Sequence, residues 1–170
     1  MNSNLIITVT RQRGAGGTKI ARSVAKILEI PCYSKEAFMV KDESGKKHLI
    51  PRDEIRKTIK NNAPCVAIGL CADYIISDKN ATYLSVYIKA SKKKRKANLI
   101  NEYETDSLSA ERILKSESHM KNHFEKYTGL KWGSSKSFDL VFNTGRIRRD
   151  EAIRTICEVA LSIINSENEN

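Results

Sequence analysis

Residues 5–19 have the sequence LIITVTRQRGAGGTK, and this stretch decides the fold. The apolar, β-branched run from Leu5 to Val9 predicts a strand, and a loop with three glycines follows it. Beyond the loop, apolar residues recur at the spacing of one helix face: Ile20, Val24, Ile27 and Leu28. A strand, a glycine loop and a helix in this order are typical of a phosphate-binding element, because loop and helix N–H groups can surround an anion.

The loop is flanked by cations. Arg11, Arg13 and Lys19 surround it, and Gly17 stands where the common G-x-x-x-x-G-K-[ST] pattern leads one to expect lysine. The simpler alternative is a glycine turn that only joins a strand to a helix. We predict that the loop binds a nucleotide through the following residues: Gly14, Ala15, Gly16, Gly17, Thr18 and Lys19.

Length and composition favour one folded, cytoplasmic domain. The chain has 170 residues, 40% of them hydrophobic, which is enough for a buried core. No apolar stretch approaches the roughly 20 residues that span a bilayer, and residues 1–4 lack the features of a signal peptide. The four cysteines show no C-x-x-C spacing and no paired histidines, so no metal site is predicted.

The formal net charge of +10 indicates anionic partners such as nucleotides, nucleic acid or a membrane surface. Basic residues concentrate at 92–96 and 115–136, where a solvated helix face is the alternative to a binding surface. Nucleic-acid sites usually interleave aromatic and basic residues, and only residues 119–127 come close to that pattern. We therefore expect nucleotide partners, no membrane association and no specific nucleic-acid site.

Further apolar runs predict strands at 30–33, 65–69, 84–88 and 140–143, and a short helix that begins at Pro51. A last helix is predicted from about 150 to 165, with an apolar stripe of Ile153, Ile156, Cys157, Ala160, Leu161 and Ile164. The polar tail at 166–170 is expected to fray. Short apolar strands between helices predict an α/β fold, a parallel sheet with helices on both faces and ligands beyond the carboxyl ends of the strands.

Five stretches carry a resemblance to a known family, in the expected order along the chain: TVTRQRGAGGTKIA at 8–21, IPCY at 30–33, GLCADYI at 69–75, YTGLKWG at 127–133 and FDLVFNT at 138–144. On these motifs the chain resembles the cytidylate kinase-like branch of the P-loop nucleoside monophosphate kinases. The resemblance implies a P-loop nucleoside monophosphate kinase-like fold in one domain over residues 1–170. It also implies a substrate-binding segment at about 34–62 and a helical lid at about 91–136.

The resemblance implies transfer of the ATP γ-phosphate, with Mg²⁺, to a CMP- or dCMP-like acceptor. Arg11 matches the family, and Lys19 is a further cation near the phosphates. Arg95 has the spacing of a lid arginine, with a mere charge on a basic helix as the alternative. Ser34 and Asp73 fall at substrate-binding positions, and Asp73 orients magnesium or substrate, or else caps the following helix.

Several charged positions depart from the family pattern. Ser34 stands in place of an aspartate, Leu70 in place of an arginine, and His119 and Met120 in place of lid arginines. One such arginine can be worth about 10³–10⁵ in rate, so any activity is expected to be weak. A nucleotide-binding relative that has lost catalysis is the alternative, and a nucleic-acid-binding protein, based on charge alone, is the third hypothesis.

Two other sets of residues have open roles. His48, His119 and His123 show no nucleophile or metal partner in the sequence, so surface positions are expected for them. Arginines within 146–149 follow the last predicted strand and either line the adenine side of a nucleotide site or form a solvated turn.

Overall fold

The computed structural model describes residues 3–168 and has a mixed α/β fold built on a parallel sheet. The strands are β1 (Ile6–Arg11), β2 (Cys32–Tyr33), β3 (Met39–Lys41), β4 (Lys47–Leu49), β5 (Cys65–Ile68), β6 (Tyr83–Lys89) and β7 (Leu140–Asn143). The helices are α1 (Gly17–Leu28), α2 (Arg52–Asn61), α3 (Leu70–Ile76), α4 (Lys92–Tyr103), α5 (Ser107–Lys115), α6 (Glu117–Thr128) and α7 (Arg149–Asn168). The predicted fold class is confirmed.

Five parallel strands form the main sheet in the order β2-β5-β1-β6-β7, and β3 and β4 form a separate antiparallel hairpin. Ile6 of β1 pairs with Cys65 of β5 on one side and with Tyr83 of β6 on the other. The glycine loop therefore leaves the centre of the sheet at its carboxyl edge. That edge is where open α/β sheets bind their ligands.

Alternate residues of β1 bury against helices on opposite faces of the sheet. Leu5, Ile7 and Val9 pack in one core with residues of α1 and α7. Ile6 packs in a second core with residues of α2 and α3. Successive side chains of a strand point to opposite faces, so a run that is apolar at nearly every position forms a strand with helices on both sides.

Two residues of the predicted apolar stripes lie outside the cores. Ile27 is 61% exposed and Leu161 is 38% exposed. The buried stripe of α1 runs through Ala21, Val24 and Leu28, which leaves Ile27 at its margin. Helical spacing alone predicts a broad apolar face on each helix. How much of that face the neighbouring elements cover decides whether the residues at its edge are buried.

Several predicted boundaries are corrected by the structure. The second strand is limited to Cys32–Tyr33, and α2 begins at Arg52, with Pro51 as its N-terminal flanking residue. The last helix begins at Arg149 and continues through Asn168, so the part of the polar tail up to that residue is helical rather than frayed. Residues 169–170 of the predicted tail lie outside the described residues.

Helices α4, α5 and α6 lie between β6 and β7 in sequence and fall within the predicted lid at 91–136. The Ser91 side chain caps α4 by accepting from the Lys94 N–H at 3.2 Å, and Asp106 caps α5 in the same way. Leu99 of α4 packs against Ala110 and Leu114 of α5 in a small core of their own. Helix α4 meets the glycine loop, where Asn98 donates to the Gly14 carbonyl, and α6 also packs on α3 and the sheet through Phe124.

Candidate functional site

The glycine loop has the backbone shape of an anion-binding element. Gly14 and Gly16 adopt positive φ angles of 78° and 87°, which residues with a side chain rarely adopt. Helix α1 follows at once, and the Ile20 N–H donates to the Gly16 carbonyl at 3.1 Å. The earlier N–H groups of the first turn, those of Gly17 to Lys19, are left without a partner inside the helix. They are available to an anion at the positive end of the helix dipole.

Arg11 crosses the loop through a slot made by two glycines. A Cβ atom at Gly17 would lie 2.5 Å from the Arg11 Cβ, and one at Gly69 would overlap the Arg11 Nη1. The Arg11 Nε donates to the Thr18 hydroxyl at 3.3 Å. Gly17 is thus small because Arg11 lies against it, so a lysine at that position would displace the arginine.

Burial, assisted by the nearby charge of Arg13, lowers the pKa of the Arg11 guanidinium from its usual value. An arginine nevertheless remains charged in proteins. Arg11 is therefore a partly buried and permanent cation beside the loop, held by its packing rather than by a carboxylate.

Two clefts open at this edge of the sheet. The loop cleft, about 240 Å³, is lined by the glycine loop, Thr18 and the α4 residues Leu99 and Tyr103. The side cleft, about 280 Å³, is lined by residues from the ends of β1 and β5, by Ser34 and by α3 and α6. Arg11 and Arg13 line both clefts. The volumes suit a small ligand or part of one.

Arg95 anchors α4 to the glycine loop. Its Nη1 donates to the Arg13 carbonyl at 3.2 Å and to the Glu117 carboxylate at 3.0 Å, and its side chain is only 9% exposed. Glu117 also accepts from the Arg13 N–H at 2.9 Å, and Asn98 donates to the Gly14 carbonyl at 2.8 Å. In this conformation the predicted catalytic Arg95 is engaged in these contacts and lines neither cleft. Its role toward a phosphate stays a prediction.

Lys19 and Arg149 share one carboxylate. Glu102 Oε2 lies 2.7 Å from Lys19 Nζ, and Glu102 Oε1 lies 2.5 Å from Arg149 Nη2. Hydrogen bonds from Arg149, and secondarily from Lys19, lower the pKa of Glu102 to about 2. Lys19 is half exposed and lines neither cleft, whereas the Arg149 side chain covers Gly16. Of the arginines that follow β7, Arg149 is the one in contact with the glycine loop through this packing.

Asp73 and His123 form a pair in the side cleft. Asp73 Oδ2 lies 2.8 Å from His123 Nδ1, and the two side chains are 7% and 26% exposed. Gly69, not Asp73, is the N-cap of α3, so the capping alternative for Asp73 is wrong. Burial raises the pKa of Asp73, while the hydrogen bond from His123 and the charge of Arg11 act in the opposite direction.

The remaining side-cleft residues include those that depart from the family pattern. Ser34 donates to the Glu36 carboxylate at 2.6 Å, and Leu70 and Met120 lie in the lining without a charge to offer. The surface expectation for His123 is wrong, because the ring is largely buried in this cleft between Asp73 and Tyr127. Its partner lies 50 residues away, so only the i, i+4 placement of two histidines on α6 could have indicated a shared face.

The loop cleft offers oxygen atoms suited to a magnesium–nucleotide complex. Magnesium in phosphoryl-transfer sites is held largely by the phosphates and water, with few protein oxygens. The Thr18 hydroxyl lies in the loop cleft. Within residues 3–168, no group of three or more His, Cys, Asp or Glu side chains is arranged to hold a metal ion alone.

The sequence matches the cytidylate kinase-like family over residues 6–50 and 39–146, which together include every strand, the glycine loop and helices α1 to α6. The chain belongs to this family. No curated protein matches the sequence.

Solved structures share the fold over nearly the whole chain. A protein from Eubacterium ventriosum, described as uncharacterized, is 25% identical with a TM-score of 0.74 over 96% of this chain and 99% of that one. The Bacillus subtilis YorR protein, in complex with phosphorylated GDP, is 13% identical with a TM-score of 0.54 over 97% and 98%. A shikimate kinase from Bacteroides thetaiotaomicron is 15% identical with a TM-score of 0.51 over 92% and 98%.

These likenesses support a P-loop kinase-like fold, and the family supports a nucleotide kinase-like function. Across residues 3–168, no helix combines the length and the apolar character needed to cross a bilayer.

Proposed function

We propose that this family member moves the γ-phosphate of Mg-ATP to a CMP- or dCMP-like acceptor. The observation that carries the proposal is Arg11, which lines both the loop cleft and the side cleft. A fixed cation between two neighbouring clefts can neutralise charge that develops on a group passing from one to the other. Its packing between two glycines holds it in place before the substrates arrive.

The loop cleft is the donor side of this proposal. The free N–H groups at the start of α1 bind the ATP phosphates, and Arg11 contributes charge next to them. Mg²⁺ bound with ATP supplies further neutralisation of the phosphate oxygens, and the Thr18 hydroxyl would hold it. Arg149, which lies over Gly16, borders the same side of the loop.

The side cleft is the acceptor side. Arg13, Lys35 and His123 place basic groups in its lining, and Ser34 and Asp73 add hydrogen-bonding groups. Ile68, Leu70 and Trp132 contribute apolar surface. A nucleoside monophosphate offers a matching group for each of these: an anionic phosphate for the basic residues, polar edges for the hydrogen-bonding residues and a flat ring for the apolar surface.

The proposed lid contributes water exclusion. Helices α4 and α6 are anchored on the glycine loop through Asn98 and Glu117. Lids of this kind close over the phosphates and keep water from accepting the transferred group. The same contacts must open for nucleotides to exchange.

A coupled ADP-release assay with Mg-ATP and a panel of nucleoside monophosphates tests the function. Turnover that requires CMP or dCMP supports the proposal, and calorimetry with each nucleotide separates binding from chemistry. Turnover with another monophosphate would keep the phosphotransferase and replace the acceptor. ATP binding without turnover of any monophosphate would contradict the proposal.

A nucleotide-binding protein that has lost catalysis is the second candidate. Two observations favour it: Leu70 and Met120 bring no charge to the side cleft, and the loop cations Lys19 and Arg95 are paired with Glu102 and Glu117. Such a protein would bind ATP in the loop cleft and show no ADP release with any acceptor.

A further inference from the structure

The Asp73–His123 pair is built from two distant parts of the chain and is not used by the proposed donor site. Asp73 lies in the first turn of α3, and His123 lies near the middle of α6. An ionised carboxylate only accepts hydrogen bonds, so the contact at 2.8 Å is a donation from His123 Nδ1–H. The other ring nitrogen, Nε2, is then the one available to a ligand.

The ring is held firmly as well as hydrogen-bonded. The ring centroids of Tyr127 and Tyr74 lie 4.3 Å and 5.7 Å from that of His123, both on tilted planes. Asp73 is itself buried, and its second oxygen, Oδ1, has no hydrogen-bond partner within the described residues. A buried carboxylate with half of its capacity unused is costly. Nothing in the packing of α3 against α6 requires that charge.

The surroundings of the pair have the charge balance of an anion site. Arg11, Arg13 and Lys35 are the cations in the side-cleft lining, and Glu36 and Asp73 are the acids. One oxygen of each acid is already engaged, since Asp73 Oδ2 contacts His123 and Glu36 Oε2 accepts from Ser34.

We propose that His123 binds the phosphate of the acceptor monophosphate through Nε2–H, and that Asp73 is the positioning residue that orients the ring. The inference rests on the proposed function and identifies which group recognises the acceptor phosphate. With Nδ1–H bound to Asp73 and Nε2–H bound to phosphate, both donors of a protonated imidazole are satisfied. His123 thus provides a hydrogen-bond donor to the substrate phosphate in the side cleft, where Leu70 and Met120 provide none.

A role for His123 as a proton acceptor fits this acceptor less well. An aspartate-oriented histidine serves that purpose when the nucleophile is a hydroxyl that must lose its proton. A phosphate monoester near neutral pH already presents ionised oxygens. The pair is therefore assigned to binding, and phosphorylation of a hydroxyl group is the competing outcome.

The test compares CMP with cytidine, which lacks the phosphate. Calorimetry on the full chain gives the ratio of the two affinities, which measures what the phosphate contributes. His123→Ala should lower CMP affinity about 10- to 100-fold, the loss of one charge-assisted hydrogen bond, and leave cytidine affinity unchanged. Asp73→Asn should lower the ratio of CMP affinity to cytidine affinity by less than His123→Ala does. Because Asp73 acts through His123, combining the two substitutions should lower this ratio no further than His123→Ala alone.

Arg154→Ala is the control, because Arg154 is an exposed basic residue on α7, outside both clefts and outside the proposed substrate-binding segment. Thermal melts of all variants check that they are folded. A wild-type protein that binds CMP and a His123→Ala variant with an unchanged ratio would overturn this inference and leave the proposed function standing. Equal losses for CMP and cytidine would show a packing role and overturn it as well.

Two further outcomes are decisive. Phosphorylation of cytidine by Mg-ATP, lost in His123→Ala, would assign the pair to proton transfer and overturn phosphate binding. A wild-type protein that binds no CMP would reject the proposed acceptor and this inference together.

Discussion

Arg11 owes its position to neighbours that have no side chain. Gly17 leaves space for its Cβ and Cγ atoms, Gly69 leaves space for its guanidinium, and Thr18 accepts its Nε–H. The same arrangement makes Gly17 unsuitable for the lysine of the common loop pattern. A partly buried arginine from the end of β1 takes the place of a flexible lysine from the helix.

We expect Arg11→Ala to weaken ATP binding about 10- to 100-fold, the loss expected for charge-assisted hydrogen bonds to phosphate. Lys19→Ala should have a smaller effect, because Lys19 is half exposed and already bound to Glu102. Calorimetric titration of both variants with ATP decides the order. Equal losses, or a larger loss for Lys19→Ala, would show that the lysine holds the phosphates.

Glu102 makes the stability of the protein depend on acid. Its pKa is about 2 in the folded protein and 4.5 in its unperturbed state, so the ion pairs contribute fully above about pH 4.5 and are lost as the pH falls toward 2. Wild type should exceed Glu102→Gln in unfolding free energy by about 1–2 kcal/mol at pH 6, after allowing for partial exposure. The gap should narrow by pH 3.

Urea unfolding of both proteins at pH 6, 4.5 and 3 measures that gap. A difference that stays constant over this range would mean that the Glu102 carboxylate is not stabilised by Lys19 and Arg149.

Residues of the loop were predictable from the sequence, whereas the side-cleft pair was not. Gly14, Gly16 and Arg11 are adjacent in the chain, and their spacing after a strand limits the possible geometry. Asp73 and His123 are 50 residues apart, and their contact depends on how α6 packs on α3. Arg95 shows the same limit, because its partner Glu117 lies on another helix.

The secondary-structure elements follow from local apolar patterns where they are long and buried. The predicted strand at 140–143 coincides with β7, and the run at 65–69 gave β5 with one residue too many. The sequence did not predict the β3–β4 hairpin. Its strands have three residues each and are mostly exposed, so they lack the alternation that marks a half-buried strand.

The glycine loop can be tested by comparing Gly16 with Gly45, a glycine of similar backbone conformation that lies outside the loop. Gly16 and Gly45 have φ angles of 87° and 81°, but a Cβ at Gly16 would lie 2.6 Å from Arg149 Nε, whereas Gly45 faces open space. Gly16→Val should abolish ATP binding, and Gly45→Val, with comparable backbone strain, should retain it. Calorimetry with ATP, after melts confirm folding, distinguishes them. Unchanged ATP affinity in Gly16→Val would refute the loop assignment.

At the scale of the whole molecule, the net charge of +10 acts as a long-range attraction for nucleotides. Several basic residues are already paired, such as Lys60 with Asp78 and Lys96 with Glu111. We expect only weak binding of nucleic acid, without sequence preference, and lost at moderate salt. Gel-shift titrations at physiological salt measure it. Submicromolar, sequence-selective binding would promote the nucleic-acid hypothesis.

The charges in the side cleft also bear on the turnover rate of the proposed reaction. Leu70 and Met120 lie in its lining where the family resemblance places arginines, while Arg11 and the glycine loop line the cleft that we propose for ATP. Missing charge that acts mainly in the transition state lowers kcat more than it weakens binding. We therefore expect wild-type turnover with CMP well below the roughly 1–100 s⁻¹ typical of kinases, with ATP affinity preserved.

Leu70→Arg combined with Met120→Arg should raise kcat, because arginine offers a planar set of donors to phosphate oxygens. Ile27→Arg is a suitable control, since Ile27 is 61% exposed on α1 and its variant adds charge away from both clefts. Steady-state kinetics with Mg-ATP and CMP compare the variants. A wild-type kcat within the usual kinase range would show that Arg11, Arg13 and His123 already supply the charge. If the double variant binds both nucleotides and stays inactive, the fault lies in how Ser34 and the neighbouring segment position the acceptor.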